Sequence, residues 1–136
     1  MSEAGEGGRE PVRLWYATVY VRDFARALAF YRDVLGLPLR FADEKFGFAS
    51  FATPGAGFTI AKVDEGDAQQ RGLVGRHTGL AFGVDDLEKT YAVWRGKGVA
   101  FPLPPTKQPW GGTLAQLADP EGNLLTVDQF REEAHA

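Results

Sequence analysis

Few residues in this chain have side chains suited to acid–base or metal chemistry: His77, the adjacent carboxylates Asp85 and Asp86, Asp43 and Glu44, and Tyr16, Tyr20 and Lys62. A divalent metal site needs about three protein ligands drawn from His, Cys and carboxylate. Cysteine is absent, which removes disulfides, thiolate zinc sites and a cysteine nucleophile together. The second histidine, His135, stands next to the last residue, so His77 has no histidine near it in sequence. Asp85 and Asp86 open an Asp-Asp-Leu-Glu run ahead of an apolar repeat, where a carboxylate caps the free N–H groups of a helix. Asp43 and Glu44 read as turn residues. Tyr16, Tyr20 and Lys62 are capable of metal-free proton transfer, but no base stands beside an orienting partner in the pattern. Trp110 is different in kind. It sits in Gln108-Pro109-Trp110-Gly111-Gly112, a Pro/Gly loop in which a large ring has little packing reason to be.

The elements that must position these residues repeat. The segment 14–21 is rich in aromatic and β-branched residues and reads as a strand. Asp23 then precedes Phe24, Ala27, Leu28, Tyr31, Val34 and Leu35, whose three- and four-residue steps give a helix with one apolar face. Asp23 caps that helix and Gly36 ends it. Three extended stretches follow at 39–42, 46–52 and 57–63, with a turn at Thr53-Pro54-Gly55. After a polar link the pattern restarts. A strand at 79–84, a helix carrying Leu87, Tyr91, Val93 and Trp94, and strands at 99–103, 113–118 and 123–129 complete the chain. Asp119-Pro120-Glu121-Gly122 is a strong turn signal before the last strand. VRDFARALAFY in the first half lines up with VDDLEKTYAVW in the second, so the chain reads as a duplicated unit. The predicted fold class is α+β: two tandem βαβββ modules forming a curved mixed sheet around a ligand cleft, with helices on one face and the concave face free.

Composition supports one domain. At 136 residues, with 44% hydrophobic and 24% charged residues, the chain can bury a core without staples. Residues 1–11 read as a disordered lead, 12–130 as a single domain (module one 12–64, link 65–76, module two 77–130), and 131–136 as a tail. The net charge of -3 and the scattered basic residues give no stripe for a nucleic-acid backbone. No apolar run approaches the roughly 20 residues that span a bilayer, and the N-terminus has no apolar signal core, so a cytoplasmic protein is expected.

Three motifs, VYVRDFARALAFYRDVLGLPL, GLAFGVDDLEKTYAVWRGKGVAF and PWGGTLAQLADPEGNLLTVDQ, together resemble the vicinal oxygen chelate superfamily. That superfamily includes glyoxalase I, extradiol dioxygenases, fosfomycin-resistance enzymes and bleomycin-resistance binding proteins. The resemblance spans nearly all of the chain between Leu14 and Phe130. Metal-using members carry a His on the first strand of each module and a Glu on the last, and the ion polarises neighbouring substrate oxygens. Carried over by position, the first-strand sites fall on Tyr16 and Gly79. The glutamate sites fall on Thr126 and, in the first module, on Thr59, Ala61 or Lys62. None is a good divalent-metal ligand, so no metal or other cofactor is expected; His77, two residues before Gly79, is the one weak candidate.

With Tyr16 facing the cleft, alternation along the strand brings Thr18 and Tyr20 to the same side. In the second module Gly79, Ala81 and Gly83 face the cleft and leave volume there. Phe46, Phe48 and Trp110 are expected to supply rings, and Gln116, Thr126 and Asp128 polar contacts. Phe48 and Phe51 have opposite parity, so only one of them faces inward. A pocket of this make-up suits a planar aromatic ligand. The resemblance lies nearest the metal-free bleomycin-resistance type, which implies a homodimer whose clefts are completed by a second chain. The function expected is metal-independent binding of a small molecule, such as sequestration of an aromatic antibiotic or toxic metabolite. The alternative is an enzyme of the same superfamily, of lyase, isomerase or dioxygenase type, with a non-standard or metal-free site.

Overall fold

A computed structural model describes residues 10–130, and the expected tail at 131–136 and most of the expected lead lie outside the described residues. The first module comprises β1 (Tyr16–Val21), α1 (Phe24–Ala29) continuing into a π-helical turn (Phe30–Val34), β2 (Leu39–Asp43), β3 (Phe48–Phe51) and β4 (Gly57–Lys62). A short helix, α2 (Ala68–Arg71), lies in the link. The second module comprises β5 (His77–Val84), α3 (Leu87–Gly96), β6 (Ala100–Lys107), β7 (Thr113–Ala118) and β8 (Leu124–Gln129). Each module forms a four-stranded mixed sheet, in the orders β1-β4-β3-β2 and β5-β8-β7-β6. The first and last strands of each module run parallel and the remaining pairs antiparallel. The two halves are thus the same topology twice.

Period-two alternation decides which face of each sheet is covered. Val19 and Val21 on β1, Ala49 and Phe51 on β3, and Ile60 on β4 are fully buried. Ala115, Leu117, Leu125 and Val127 do the same in the second sheet, and all of these belong to one core with the inner sides of α1 and α3. Phe58 and Phe82 meet edge to face at 5.2 Å, so the modules share that core directly. Full burial of a side chain such as Phe51 contributes about 1.5–3 kcal/mol.

The turn after β7 ties the modules together through polar groups. Asn123 is fully buried and its amide donates to the Tyr20 carbonyl at 3.0 Å and to Asp119 at 2.9 Å, while its Oδ1 accepts from Gly75 N at 2.7 Å. Asp119 also accepts from the Tyr31 hydroxyl at 2.8 Å and from the backbone of Glu121 and Asn123. Glu121 reaches back to accept from Arg22 N and Asp23 N, at 2.6 and 2.7 Å, just ahead of α1. Burial first, then the Asp119 carboxylate, pushes the Tyr31 hydroxyl far above its ordinary range and keeps it a donor.

Both expected helix caps form: Asp23 accepts from Arg26 N at 3.1 Å and Asp86 from Lys89 N at 3.0 Å. Besides shifts of two residues at the starts of β1 and β5, four details differ from the sequence expectation. The first helix is not α-helical throughout, because Leu35 N donates to Phe30 O in a wider turn. That turn lets two consecutive rings, Phe30 and Tyr31, both point inward. The third strand starts at Phe48 rather than Phe46: the Asp43 carboxylate accepts from Lys45 N and Phe46 N, and Gly47 at φ +71 closes a turn there. β6 runs on through Pro102, Pro104 and Pro105 to Lys107, which an edge strand tolerates because no further strand pairs with its outer side among the described residues. The link, read from sequence only as polar, contains α2, capped by Asp67.

Candidate functional site

The uncovered face of the first sheet carries Tyr16, Thr18 and Tyr20 from β1, Thr59 and Ala61 from β4, and Phe48 and Ser50 from β3. The partnerships Tyr16↔Gly57, Thr18↔Thr59 and Ser50↔Thr59 place these residues in adjacent rows. A hollow of about 650 Å³ opens on this face, within the roughly 300–1,000 Å³ typical of small-molecule sites. Its base is Phe48, Ser50, Thr59 and Gly57; Tyr16, Trp15 and Leu14 form one wall and Phe41 the opposite one. The Thr53 and Gly55 turn closes one end, and Arg13 and Arg40 add two guanidinium groups. The Phe41 and Phe48 rings lie 6.4 Å apart at 51°, a tilted pair that lines the β2 side.

Consecutive residues Arg40 and Phe41 both line the hollow because the β2–β3 register shifts between Leu39 and Phe41, and a bulge breaks the alternation. Residues 13–15 precede β1 and are free of strand parity, so the chain wraps them around the opening. Trp15 remains 77% exposed and Tyr16 54%. These are large rings left facing outward beside a cavity.

The residues present do not fit a divalent ion. The Thr18 and Thr59 hydroxyls are hydrogen-bonded to each other at 2.7 Å, and Thr59 also contacts the Ala17 carbonyl at 3.3 Å. Gly79 has no side chain, and Lys62 is exposed at the end of β4, where its N–H donates to the Gly47 carbonyl at 2.7 Å. His77 Nδ1 accepts from Gly79 N at 3.1 Å, and its Nε2 lies 3.4 Å from the Gln116 amide. Among the described residues, no three side chains of the His, Asp and Glu type gather in a group that could hold a metal ion.

The second module presents a different surface. His77, Gly79, Ala81 and Gly83 alternate outward along β5, beside Thr126 and Asp128 of β8 and Gln116 of β7. Gly79 takes φ +79 in the irregular stretch between His77 and Ala81, so its type answers a backbone demand as well as leaving space. A methyl group at Gly83 would come within 3.3 Å of the Phe130 ring, which therefore fills part of the room that the glycine leaves. Trp110 is 71% exposed, and its indole lies over Gly112, where an added Cβ would stand 2.9 Å from Nε1.

Of the residues expected from sequence to bind ligand, Tyr16 and Phe48 line the hollow, and Thr18 and Tyr20 share its strand face. Phe46 stands in the turn before β3, 76% exposed and outside the lining. Gly79, Ala81, Gln116, Thr126 and Asp128 come together on the second sheet, and neither they nor Trp110 line the first-module hollow. Sequence reasoning missed Arg13, Trp15, Arg40, Phe41 and Ser50. Ser50 was readable, since it shares parity with Phe48; the others needed the bulge and the path of the chain before β1.

Two βαβββ units, fused through one core and each leaving a sheet face open, define a duplicated open-faced α+β architecture. The family model described as Glyoxalase/Bleomycin resistance protein/Dioxygenase superfamily matches residues 13–127, and the chain belongs to that superfamily. It is 28% identical over 130 residues to the uncharacterized protein YraH of Bacillus subtilis (strain 168), covering 85% of this chain and 97% of the relative. Among solved structures it is similar to a member of the same superfamily from Sphaerobacter thermophilus DSM 20745, with TM-score 0.75 and 27% identity over 88% of this chain and 98% of the other. It is also similar to TnmS3, an antibiotic binding protein from Streptomyces sp. CB03234, with TM-score 0.72 and 27% identity over 90% and 99% of the two chains.

Proposed function

We propose that the protein binds a planar aromatic small molecule without a metal ion, in the first-module hollow, and that a second copy of the chain completes the cleft. The observation that carries this reading is the hollow itself: about 650 Å³ walled by Trp15, Tyr16, Phe41 and Phe48, with room for flat rings to stack. The likeness to an antibiotic binding protein supports an antibiotic or related metabolite as the ligand class and sequestration as the outcome. Tyr16, Thr18, Tyr20 and Phe48 belong to this chain's share of the site. Trp110 and the strip of Gly79, Ala81, Gln116, Thr126 and Asp128 belong to the share that a second copy presents. That assignment accounts for a loop that leaves a tryptophan 71% exposed away from its own chain's hollow. The alternative is an enzyme of the same superfamily with a non-standard or metal-free site, since no ligating group of His, Asp and Glu gathers among the described residues.

The test is a screen of planar compounds by tryptophan fluorescence on tag-free protein, with light scattering to measure oligomeric state. The expected result is saturable binding to a dimer, unchanged by chelator, and weakened about tenfold in both Trp15→Ala and Trp110→Ala without loss of fold. Affinity that appears only after zinc, nickel, manganese or iron(II) is added overturns the metal-free reading. A monomer that binds ligand, with Trp110→Ala unaffected, removes the second copy and leaves the hollow.

A further inference from the structure

We propose that the ligand carries an anionic group, so that the hollow takes aromatic acids, such as carboxylates or sulfonates, in preference to their neutral counterparts. This rests on the reading of the first-module hollow as the ligand site. The residues lining it include two arginines, Arg13 and Arg40, and no carboxylate. In a chain of net charge -3, with 18 acidic residues against 15 basic ones, that local balance runs opposite to the whole.

The two arginines also differ from most others in the protein. Arg22 pairs with Glu65, Arg32 with Asp33, Arg71 donates to the Glu65 carbonyl, and Arg95 engages Tyr91. The side chains of Arg13 and Arg40 make no ion pair or hydrogen bond among the described residues. Each reaches the hollow by an irregularity of the chain, Arg40 through the β2 bulge and Arg13 from the segment ahead of β1. A guanidinium offers a planar fork that matches a carboxylate or sulfonate with two parallel hydrogen bonds, and it stacks on aromatic faces. The Ser50 hydroxyl on the base supplies a further donor. Rings on the walls and cations at the edge together select a flat molecule with a charged substituent at its rim.

Calorimetric titration of the full chain with 2-naphthoate and with 2-naphthamide, which share one ring system, tests this. At low salt, naphthoate is expected to bind about tenfold more tightly than naphthamide. Raising ionic strength to about 0.5 M is expected to erode the naphthoate advantage and leave naphthamide unchanged. The double variant Arg13→Gln, Arg40→Gln is expected to bring the two affinities within about twofold of each other, with the larger loss falling on naphthoate. Equal binding of both probes to the unaltered protein overturns the charge inference and leaves the aromatic hollow standing. A preference that survives in the double variant overturns the assignment to these arginines. Binding of neither probe up to millimolar concentration overturns the hollow as a site for planar rings, and the charge inference with it.

Discussion

The first module turns a ring-walled hollow with two arginines to the outside; the second, on the same strand order, turns out a strip of glycine, alanine and short polar side chains. Their inward faces are alike: Val19, Phe51 and Ile60 in one sheet match Leu117, Leu125 and Val127 in the other, all fully buried in one core. A duplicated unit is held to its pattern where the two copies must pack, because a changed volume or an unpaired polar group there costs stability in both. The outward faces carry no such shared constraint. One lines a hollow, and the other carries the small residues Gly79, Ala81 and Gly83 on the same strand order.

If the shared interior is what makes the modules one unit, its polar tie should be the most sensitive point in the molecule. Asp119→Ala leaves the Tyr31 hydroxyl, one N–H of the Asn123 amide and the backbone N–H groups of Glu121 and Asn123 without their acceptor. The expected loss is about 3 kcal/mol in urea unfolding, with both modules unfolding in a single transition. Two separate transitions would break the comparison, since they would mean that each module is stable by itself.

A smaller effect separates the two helices. The aligned positions Tyr31 and Trp94 both pack inward, but only Tyr31 carries a hydroxyl and donates it across to the other module. Tyr31→Phe is expected to cost about 2 kcal/mol near neutral pH, as for a buried hydrogen bond to a charged acceptor. Its pH dependence has a definite sign. Burial and Asp119 hold the folded-state hydroxyl protonated, so its pKa is raised above the unfolded value of about 10. The contribution is complete below that pH and declines above it, because the unfolded chain then releases a proton that the folded chain keeps. The wild-type advantage over Tyr31→Phe should therefore be flat to about pH 10 and shrink beyond it. Trp94→Phe should show no such alkaline limb.

Much of the inward pattern was legible from sequence, and much of the outward site was not, for a physical reason. Alternation, helix periodicity and caps are local rules, and they located Val19, Val21, Asp23, Asp86 and the whole of β7. Parity along β3 set Phe48 and Phe51 on opposite faces without choosing between them, and Phe51 is the one that is fully buried. The π-helical turn escaped because it answers to a partner, Asp119, that stands 88 positions away from Tyr31. Arg40 and Phe41 escaped because a bulge puts two neighbours on one side, which no strict period-two rule allows. Arg13 and Trp15 precede the first strand, where no period applies. Departures from regular structure brought in both arginines and part of the ring wall.

The smallest expected effect concerns the two helix starts, where the modules are most alike. Asp23 and Asp86 each accept one backbone N–H three residues on, at 3.1 and 3.0 Å. Removing either side chain should cost about 1 kcal/mol. The surroundings differ in where the neighbouring donors are satisfied. Glu121 takes Arg22 N and Asp23 N, which lie ahead of α1, whereas Gln129 Oε1 takes Leu87 N, inside the first turn of α3. In Asp86→Ala the Gln129 amide still holds the start of α3, so its loss should fall at or below that of Asp23→Ala, whose first turn has no second side-chain acceptor among the described residues. Paired urea curves would read the difference, and ligand affinity should be unchanged in Asp86→Ala because its exposed cap lies outside the lining of the hollow. A larger loss in Asp86→Ala than in Asp23→Ala would mean that α3, not α1, is the helix with less support from its own module.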